Sequence, residues 1–515
     1  MFHHSTLLDP LLKNAPNTPV LIHPDGSKLT CGEVLSKSKI LAYNLYQQGF
    51  RENDIAVITL PAGELFLYIM YAMIILRAKV AIIDPEMGRA NFNAKLQQLQ
   101  PRWAFIDSRI LLLNEHPILR SIIFRLHKNI PYFKSPLGCK VISAGKFMPT
   151  FKRHKTLKSL LTRIAGPIKL IQNELPHEFI IVYTSGTVQE PKGVIHTFNS
   201  LSRSINHLIE IIGHEKNDLI GTDLPQYMLL GISAGIPVII SPSGMSVAKR
   251  LHWIEDMRVS ILFSPPSEVL PLIENCEQLN RLLPKSVRRI LLGSAPVHKS
   301  FLKRLKKVTF DEVKTSSLYG MTELLICAIV DSETKINYST TGDVLGIPWK
   351  DVKCKIADDG EIFLSSPQLY SRYFHEHARD DFHATGDMGY VDSNGYLVLT
   401  GRKKDMIIRK NLNIYPGIYE FIVRLIDGVD DCAMIGVWNE LKEDEDVYLV
   451  IESKYLTAEK IKRSLTSGET AIDIQALPDY IILKKLHRGG RQNKIDKKRL
   501  RREFEQGNSC EFNFQ

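Results

Sequence analysis

FIIVYTSGTVQEPKGV (Phe179–Val194) is the stretch on which the fold turns. It reads as a short β-branched apolar run, a small polar loop, and then Lys192 and Gly193. A Walker A loop needs GxxxxGK followed by Ser or Thr. With Gly186 as the first glycine, Pro191 stands where the second belongs, and Gly193 replaces the hydroxyl residue. That argues against a Walker nucleotidase. Gly186 and Gly193 still permit close backbone approach. Thr184, Ser185 and Thr187 offer hydroxyls, and successive N–H groups in such a turn can cradle an anion. On these residues alone, an anion nest and a plain solvated loop both stand.

Outward from this strand, DIAVITL, KVAIID, VSILFSP and RRILLGS are short, apolar and without polar alternation. Such runs suit strands covered on both faces. Helical stretches lie between them, such as CGEVLSKSKILAYNLYQQG, whose closing Gly49 suits a helix C-terminus. Alternation of this kind implies parallel sheets with helices on both sides. After about Lys350, DVKCKIADDGEIFLSS and GYVDSNGYLVLTG carry DG and NG turns that read as hairpins. After Asp405, NIYPGIYEFIVRL reads as a helix, CAMIGVW and DVYLVIES as strands, followed by a basic tail. The expected fold class is α/β: a large N-terminal domain of doubly wound βαβ sheets plus a β-rich subdomain, and a small α+β C-terminal domain.

A chain of 515 residues exceeds one compact core. The most apolar stretch, LFLYIMYAMIILRAKVAII, is interrupted by Arg77 and Lys79 before it reaches the roughly 20 residues of a membrane span. The N-terminus lacks a basic leader followed by an apolar core, so no secretory signal is expected. Seven cysteines without a CxxC pair fit reduced thiols and argue against a disulfide frame or zinc site. A cytoplasmic location follows as the expectation. The net charge of +10 is localised: residues 109–169 hold thirteen Lys or Arg against Glu115 alone, and the remainder is nearly neutral. Within that segment Ile118, Leu119, Ile122, Ile123 and Leu126 form one helical stripe. It suits peripheral contact with an anionic membrane, at the inner face, or packing on the large domain. Nucleic acid is not expected, because aromatic residues are sparse there.

Four further stretches follow the opening loop in order: SLYGMTE (Ser317–Glu323), HATGDMGYVDSNGYLVLTGRKKDMI (His383–Ile407), NIYPGIYE (Asn413–Glu420) and NKIDKKRL (Asn493–Leu500). Together the five resemble the adenylate-forming, AMP-binding superfamily of acyl-CoA synthetases and fatty-acid–AMP ligases, over about residues 20 to 500. The resemblance implies ATP-dependent activation of a carboxylic acid to an acyl-adenylate with release of pyrophosphate. Transfer to a thiol follows, with CoA as first choice, and ATP and Mg2+ are implied as cofactors. It also implies roles. Thr184, Ser185, Gly186, Thr187 and Lys192 hold the outer phosphates, and Glu323 is the Mg2+ ligand with Thr184 or Thr322 nearby. Gly293, Ser294 and Ala295, in LLGSAPV, line the nucleotide and acyl pocket. Tyr319, Gly320, Met321 and Thr322 flank the adenine. Asp387 takes the ribose hydroxyls, Arg402 is a second ribose or phosphate contact, and Lys494 bridges the α-phosphate and the attacking carboxylate. The catalytic set is then Lys494, Glu323 and Thr184. Lys404 is the implied hinge, giving a large domain 1–403 and a mobile domain 404–515.

The plainer readings are a surface acid for Glu323, a turn residue for Asp387, a solvated charge for Arg402 and one tail lysine among several for Lys494. Departures from the family pattern are Val188 and Gln189 for Thr-Gly, Lys410 and Asn411 for glycine, and Gln492–Asn493 for Ser-Gly. They leave a degenerate, nucleotide-binding and non-catalytic homologue as an alternative. DLPQYMLLGISAGIPVII (Asp223–Ile240) replaces the usual aromatic-His element and favours an apolar medium- or long-chain fatty acid, with Tyr227 and Met228 as pocket walls. Residues 81–107 resemble olefin-pathway β-lactone synthetases. Lactone closure of β-hydroxy acids, or loading of an acyl carrier protein, therefore stand beside CoA.

Overall fold

The computed structural model describes residues 7–83, 89–116, 133, 135–145, 154–163, 166, 178–183, 192–215, 217–222, 226–241, 245–409, 412–440, 442, 444–468, 470–489 and 494–505. Two large sheets dominate. In the first, six parallel strands run side by side in the order Lys314–Tyr319, Arg289–Leu292, Ile261–Ser264, Ile220–Thr222, Val238–Ile240 and Pro19–Ile22. Beyond Lys314–Tyr319 the sheet continues antiparallel through Ala328–Asp331, Asp343–Pro348, Leu397–Arg402, His383–Val391, Glu361–Ser365 and Lys353–Ile356. The second sheet is parallel through Glu178–Tyr183, Lys79–Ile82, Ile55–Ile58, Trp103–Asp107, Lys140–Ala144 and Lys155–Thr156. Gly193–Thr197 and Arg372–Tyr373 extend it antiparallel at the other edge.

Local sequence accounts for these elements. The helix Cys31–Gln47 opens on a reciprocal cap: the Glu33 N–H donates to Thr30 Oγ1, and the Thr30 N–H donates to Glu33 Oε2. It closes before Gly49, whose φ of +92° a side chain would disfavour. The apolar stretch after Leu65 forms the helix Glu64–Ile75, buried from Phe66 to Ile75. A helix apolar all round belongs in a core. Each such large side chain contributes about 1.5–3 kcal/mol by leaving water. Arg77, at φ +55°, turns the chain into the strand Lys79–Ile82. Among the described residues, no helix is long and apolar enough to cross a membrane.

From Ile407 on, the chain builds apolar clusters of its own, one around Cys432, Leu449 and Ile461, another around Ile435, Val450 and Phe504. A three-stranded sheet of Asp431–Asn439, Asp444–Glu452 and Tyr480–Leu483 forms their centre. The stretch read as one helix from Asn413 divides instead into the strand Leu412–Ile414 and the helix Pro416–Val423. Pro416 forces this, because its ring excludes the helical conformation for Tyr415, which is extended at φ −98° and ψ 101°. Gly417 approaches the first sheet so closely that a Cβ there would lie 2.6 Å from the Thr400 carbonyl oxygen and 2.9 Å from Gly401 Cα.

The basic segment is partly structural. Lys140 donates to the Gln48 carbonyl and lies over the Trp103 ring at 4.7 Å, and Lys155 donates to Gln48 Oε1. Its strand Lys140–Ala144 is integral to the second sheet. The stripe from Ile118 to Leu126 lies outside the described residues.

Candidate active site

The site is assembled at the carboxyl ends of the parallel strands of the first sheet, where open α/β sheets bind ligands. Leu292 and Ser317 are register partners on adjacent strands, so the loops after them start side by side. Gly293 is buried, and a Cβ there would touch Leu318 at 3.6 Å. Ser294 follows at φ +67°, exposed, and Ala295 is half-buried. Next to this loop Tyr227 stacks on Phe263, with ring centroids 4.2 Å apart. Met228 is turned into the core, its sulfur 3.2 Å from the Gly63 nitrogen.

Asp387 and Arg402 are direct cross-strand partners in the hairpin His383–Val391/Leu397–Arg402. Asp387 is 2% exposed. Its Oδ2 accepts the Tyr319 hydroxyl at 2.7 Å, and Arg402 Nε lies 2.8 Å from Oδ1. That ion pair is off the hydrogen-bond line, so Oδ1 has no hydrogen-bond donor among the described residues. Held by that ion pair, Oδ1 keeps acceptor sites that a ligand hydroxyl can use. The turn before it is fixed. The Thr385 hydroxyl donates to the Ile362 carbonyl at 2.7 Å, and the Gly386 N–H donates to Glu361 Oε1 at 3.0 Å. Burial, then Asp387, hold the Tyr319 phenol well above its usual pKa, and Asp387 first of all raises that of Arg402.

Lys494, on the short strand Lys494–Ile495, comes within electrostatic reach of the same pair. It is open to solvent on one side and crowded by protein on the other. That crowding, then repulsion from Arg402, lowers its pKa against the attraction of Asp387. Lys404 adds to the repulsion from the turn Lys403–Asp405.

Glu323 occupies the hairpin that follows Tyr319. Gly320 is required there, since a Cβ would sit 2.1 Å from the Leu325 carbonyl oxygen. The Met321 N–H donates to the Leu324 carbonyl at 2.9 Å, closing the turn around Thr322 and Glu323. His196 Nε2 lies 2.7 Å from the Thr322 carbonyl oxygen. A carbonyl only accepts, so that nitrogen carries the proton. Burial holds the imidazole pKa low, against the pull of Thr322 and Glu323. The Tyr373 hydroxyl donates to Glu323 Oε1 at 2.8 Å. Lys192 Nζ lies 5.0 Å from the Tyr373 ring centroid.

The structure thus brings Tyr319, Asp387, Arg402 and Lys494 together, and Lys192 near Glu323 through Tyr373. Thr184, Ser185, Gly186 and Thr187 lie outside the described residues. Sequence reasoning passed over Tyr373 and His196. Their partners are 50 and 126 residues away, and neither sits in a recognisable pattern. Glu323 Oε2 has no hydrogen-bond partner among the described residues, where no cluster of three metal-ligating side chains occurs either. That fits a hard cation taking one carboxylate, phosphate oxygens and water.

Known proteins share this fold and part of its sequence. A 2-succinylbenzoate–CoA ligase of Oceanobacillus iheyensis is 26% identical over 455 residues, 83% of this chain and 85% of its own length. The o-succinylbenzoate CoA synthetase of Bacillus subtilis, solved with its acyl-adenylate intermediate, shares the fold at a TM-score of 0.75 and 20% identity over 99% of both chains. ATP-bound MatB from Rhodopseudomonas palustris does so at 0.78 and 18% identity, over 98% of this chain and 99% of its own. The AMP-binding enzyme family matches residues 10–374, well over half of the chain, and the chain belongs to that family.

Proposed function

We propose that the chain activates a carboxylic acid with ATP, forming an acyl-adenylate and pyrophosphate, and then passes the acyl group to the thiol of CoA. The observation that carries this reading is the buried Asp387 carboxylate, its Oδ1 held by the Arg402 ion pair, between Arg402 and Lys494. A vicinal diol supplies donors for the acceptor sites that Tyr319 and Arg402 leave on it. Ionised carboxylates only accept, so ribose hydroxyls suit Asp387. Arg402 and Lys494 then face the charge that develops when the acid attacks the α-phosphorus. Lys192 and the 184–191 loop hold the outer phosphates. Glu323 holds Mg2+, which supplies charge neutralisation on the leaving pyrophosphate. Residues 1–403 and 404–515 act as two domains about Lys404, so that Lys494 leaves the site for the thiol step.

Two acid classes fit. The stacked Tyr227–Phe263 pair beside Gly293 makes a flat apolar wall that suits a fatty acyl chain. The same wall suits an aromatic acid, and the named activity of similar proteins, on 2-succinylbenzoate, favours that second reading. Incubation with ATP, Mg2+ and single acids, with and without CoA, decides by product mass. The panel holds 2-succinylbenzoate and short, long and β-hydroxylated fatty acids. An acyl-adenylate without CoA and a thioester with it are expected. A β-lactone, or transfer only to a carrier protein, would redirect the second step. No pyrophosphate across the panel would overturn the reading. The surplus charge of residues 109–169 contacts anionic membranes in this reading. Equal sedimentation with neutral and anionic liposomes would refute that.

A further inference from the structure

Glu323 sits at the tip of a hairpin, where a carboxylate ordinarily moves with its turn. Here the turn is held at three points, from the edge strands of the second sheet and the residues leading into them. His196 Nε2 donates to the Thr322 carbonyl at 2.7 Å, the Tyr370 N–H donates to the Glu323 carbonyl at 2.9 Å, and the Tyr373 hydroxyl donates to Glu323 Oε1 at 2.8 Å. His196 and Tyr373 lie on paired strands, Tyr373 in register with Val194. The next residue, Phe374, donates its N–H to the Gly193 carbonyl at 2.7 Å. A Cβ on Gly193 would come within 3.1 Å of Phe374 Cβ, so the two chains meet without slack. The Tyr373 ring therefore has the Lys192 ammonium at its face and Glu323 on its hydroxyl.

We propose that Tyr373 is a positioning residue: by holding Glu323 Oε1, it leaves Oε2 as a fixed acceptor for a divalent cation that arrives with the nucleotide, and it ties that acceptor to the exit of the phosphate loop at Lys192. This rests on the reading of Glu323 as the cation-holding acid. Tyr373 touches neither the cation nor the reacting atoms. Its effect runs through the orientation of one carboxylate.

Tyr373→Phe in the full chain keeps the ring and removes the hydroxyl. The probe is Mn2+ with a non-hydrolysable ATP analogue, titrated by electron paramagnetic resonance. Loss of one hydrogen bond to a charged group should weaken Mn2+ binding to the protein–nucleotide complex about tenfold. The Mg2+ level for half-maximal pyrophosphate release should rise by a like factor. Analogue affinity in the presence of chelator should stay as in the unaltered protein. In a Glu323→Ala background, Tyr373→Phe should add nothing. Unchanged Mn2+ binding in Tyr373→Phe, an additional loss in the Glu323→Ala background, or Mn2+ binding indifferent to Glu323→Ala would each overturn the proposal. Pyrophosphate release by the unaltered protein tests the acid-activation reading separately. Its absence, with the Mn2+ coupling intact, would retire that reaction and support the role of Tyr373.

Discussion

Asp387 and Arg402 stand opposite each other across one antiparallel hairpin, with Nε 2.8 Å from Oδ1. The carboxylate is buried and the guanidinium is half open. The hairpin thus presents one fixed acceptor and one solvent-reaching cation side by side.

Asp387→Ala should weaken ATP binding by about 10- to 100-fold, the worth of a hydrogen bond to a charged group. It also strands the buried Tyr319 hydroxyl, costing about 1–3 kcal/mol of stability. Asp387→Asn keeps an acceptor for Tyr319 and should recover most of the stability with less of the affinity. Calorimetric titration and denaturant melts separate the two effects.

Lys494→Ala should cut pyrophosphate release by about 100-fold or more while leaving ATP binding measurable, since a preorganised charge acts mainly in the transition state. The lysine pKa is lowered from its ordinary 10.5. The ammonium is therefore lost at a lower pH than in a free lysine, and kcat/KM should fall on the alkaline side below that value. Lys494→Arg should move this limb upward. An alkaline limb unmoved by the arginine would assign it to another group.

Gly320→Ala should destabilise the chain by about 3 kcal/mol, the upper range for overpacking. The clash is with the Leu325 carbonyl, a backbone atom that cannot swing aside. The same change should displace Glu323 and depress the response to Mg2+. Urea melts and a Mg2+ titration check both.

His298 packs against the later part of the chain, facing Arg424 and Asp431 there and Asp343 and Lys335 on its own side. Burial, then the repulsion of Arg424, pushes its pKa down to about 4. The folded imidazole stays neutral where the unfolded one charges. Unfolded chains therefore bind the extra proton between pH 6.5 and about 4, and stability falls as pH drops through that window. His298→Gln should flatten the slope by up to about 1.4 kcal/mol per pH unit. Melts across that range, compared with the unaltered protein, provide the measurement.

The legible part of this molecule is what lies close in sequence. Asp387 and Arg402 belong to one hairpin announced by its NG turn, and Tyr319 and Glu323 to one short motif, SLYGMTE. The buried strands announced themselves by unbroken apolar runs. The supports of Glu323 did not. His196 reaches Thr322, and Tyr373 reaches Glu323, only because the edge of one sheet meets a loop of the other. No spacing along the chain encodes that meeting. The helix expected from Asn413 starts only at Pro416, whose ring keeps Tyr415 extended.

Gly401 and Gly417 meet almost backbone to backbone, just ahead of Lys404 and at the foot of the helix Pro416–Val423. Neither residue has a side chain to hold the two backbones apart, so they come closer there than any other pair of residues would allow. A methyl group on Gly417 would act as a wedge there, tilting the C-terminal portion away from the first sheet and drawing Lys494 off Asp387.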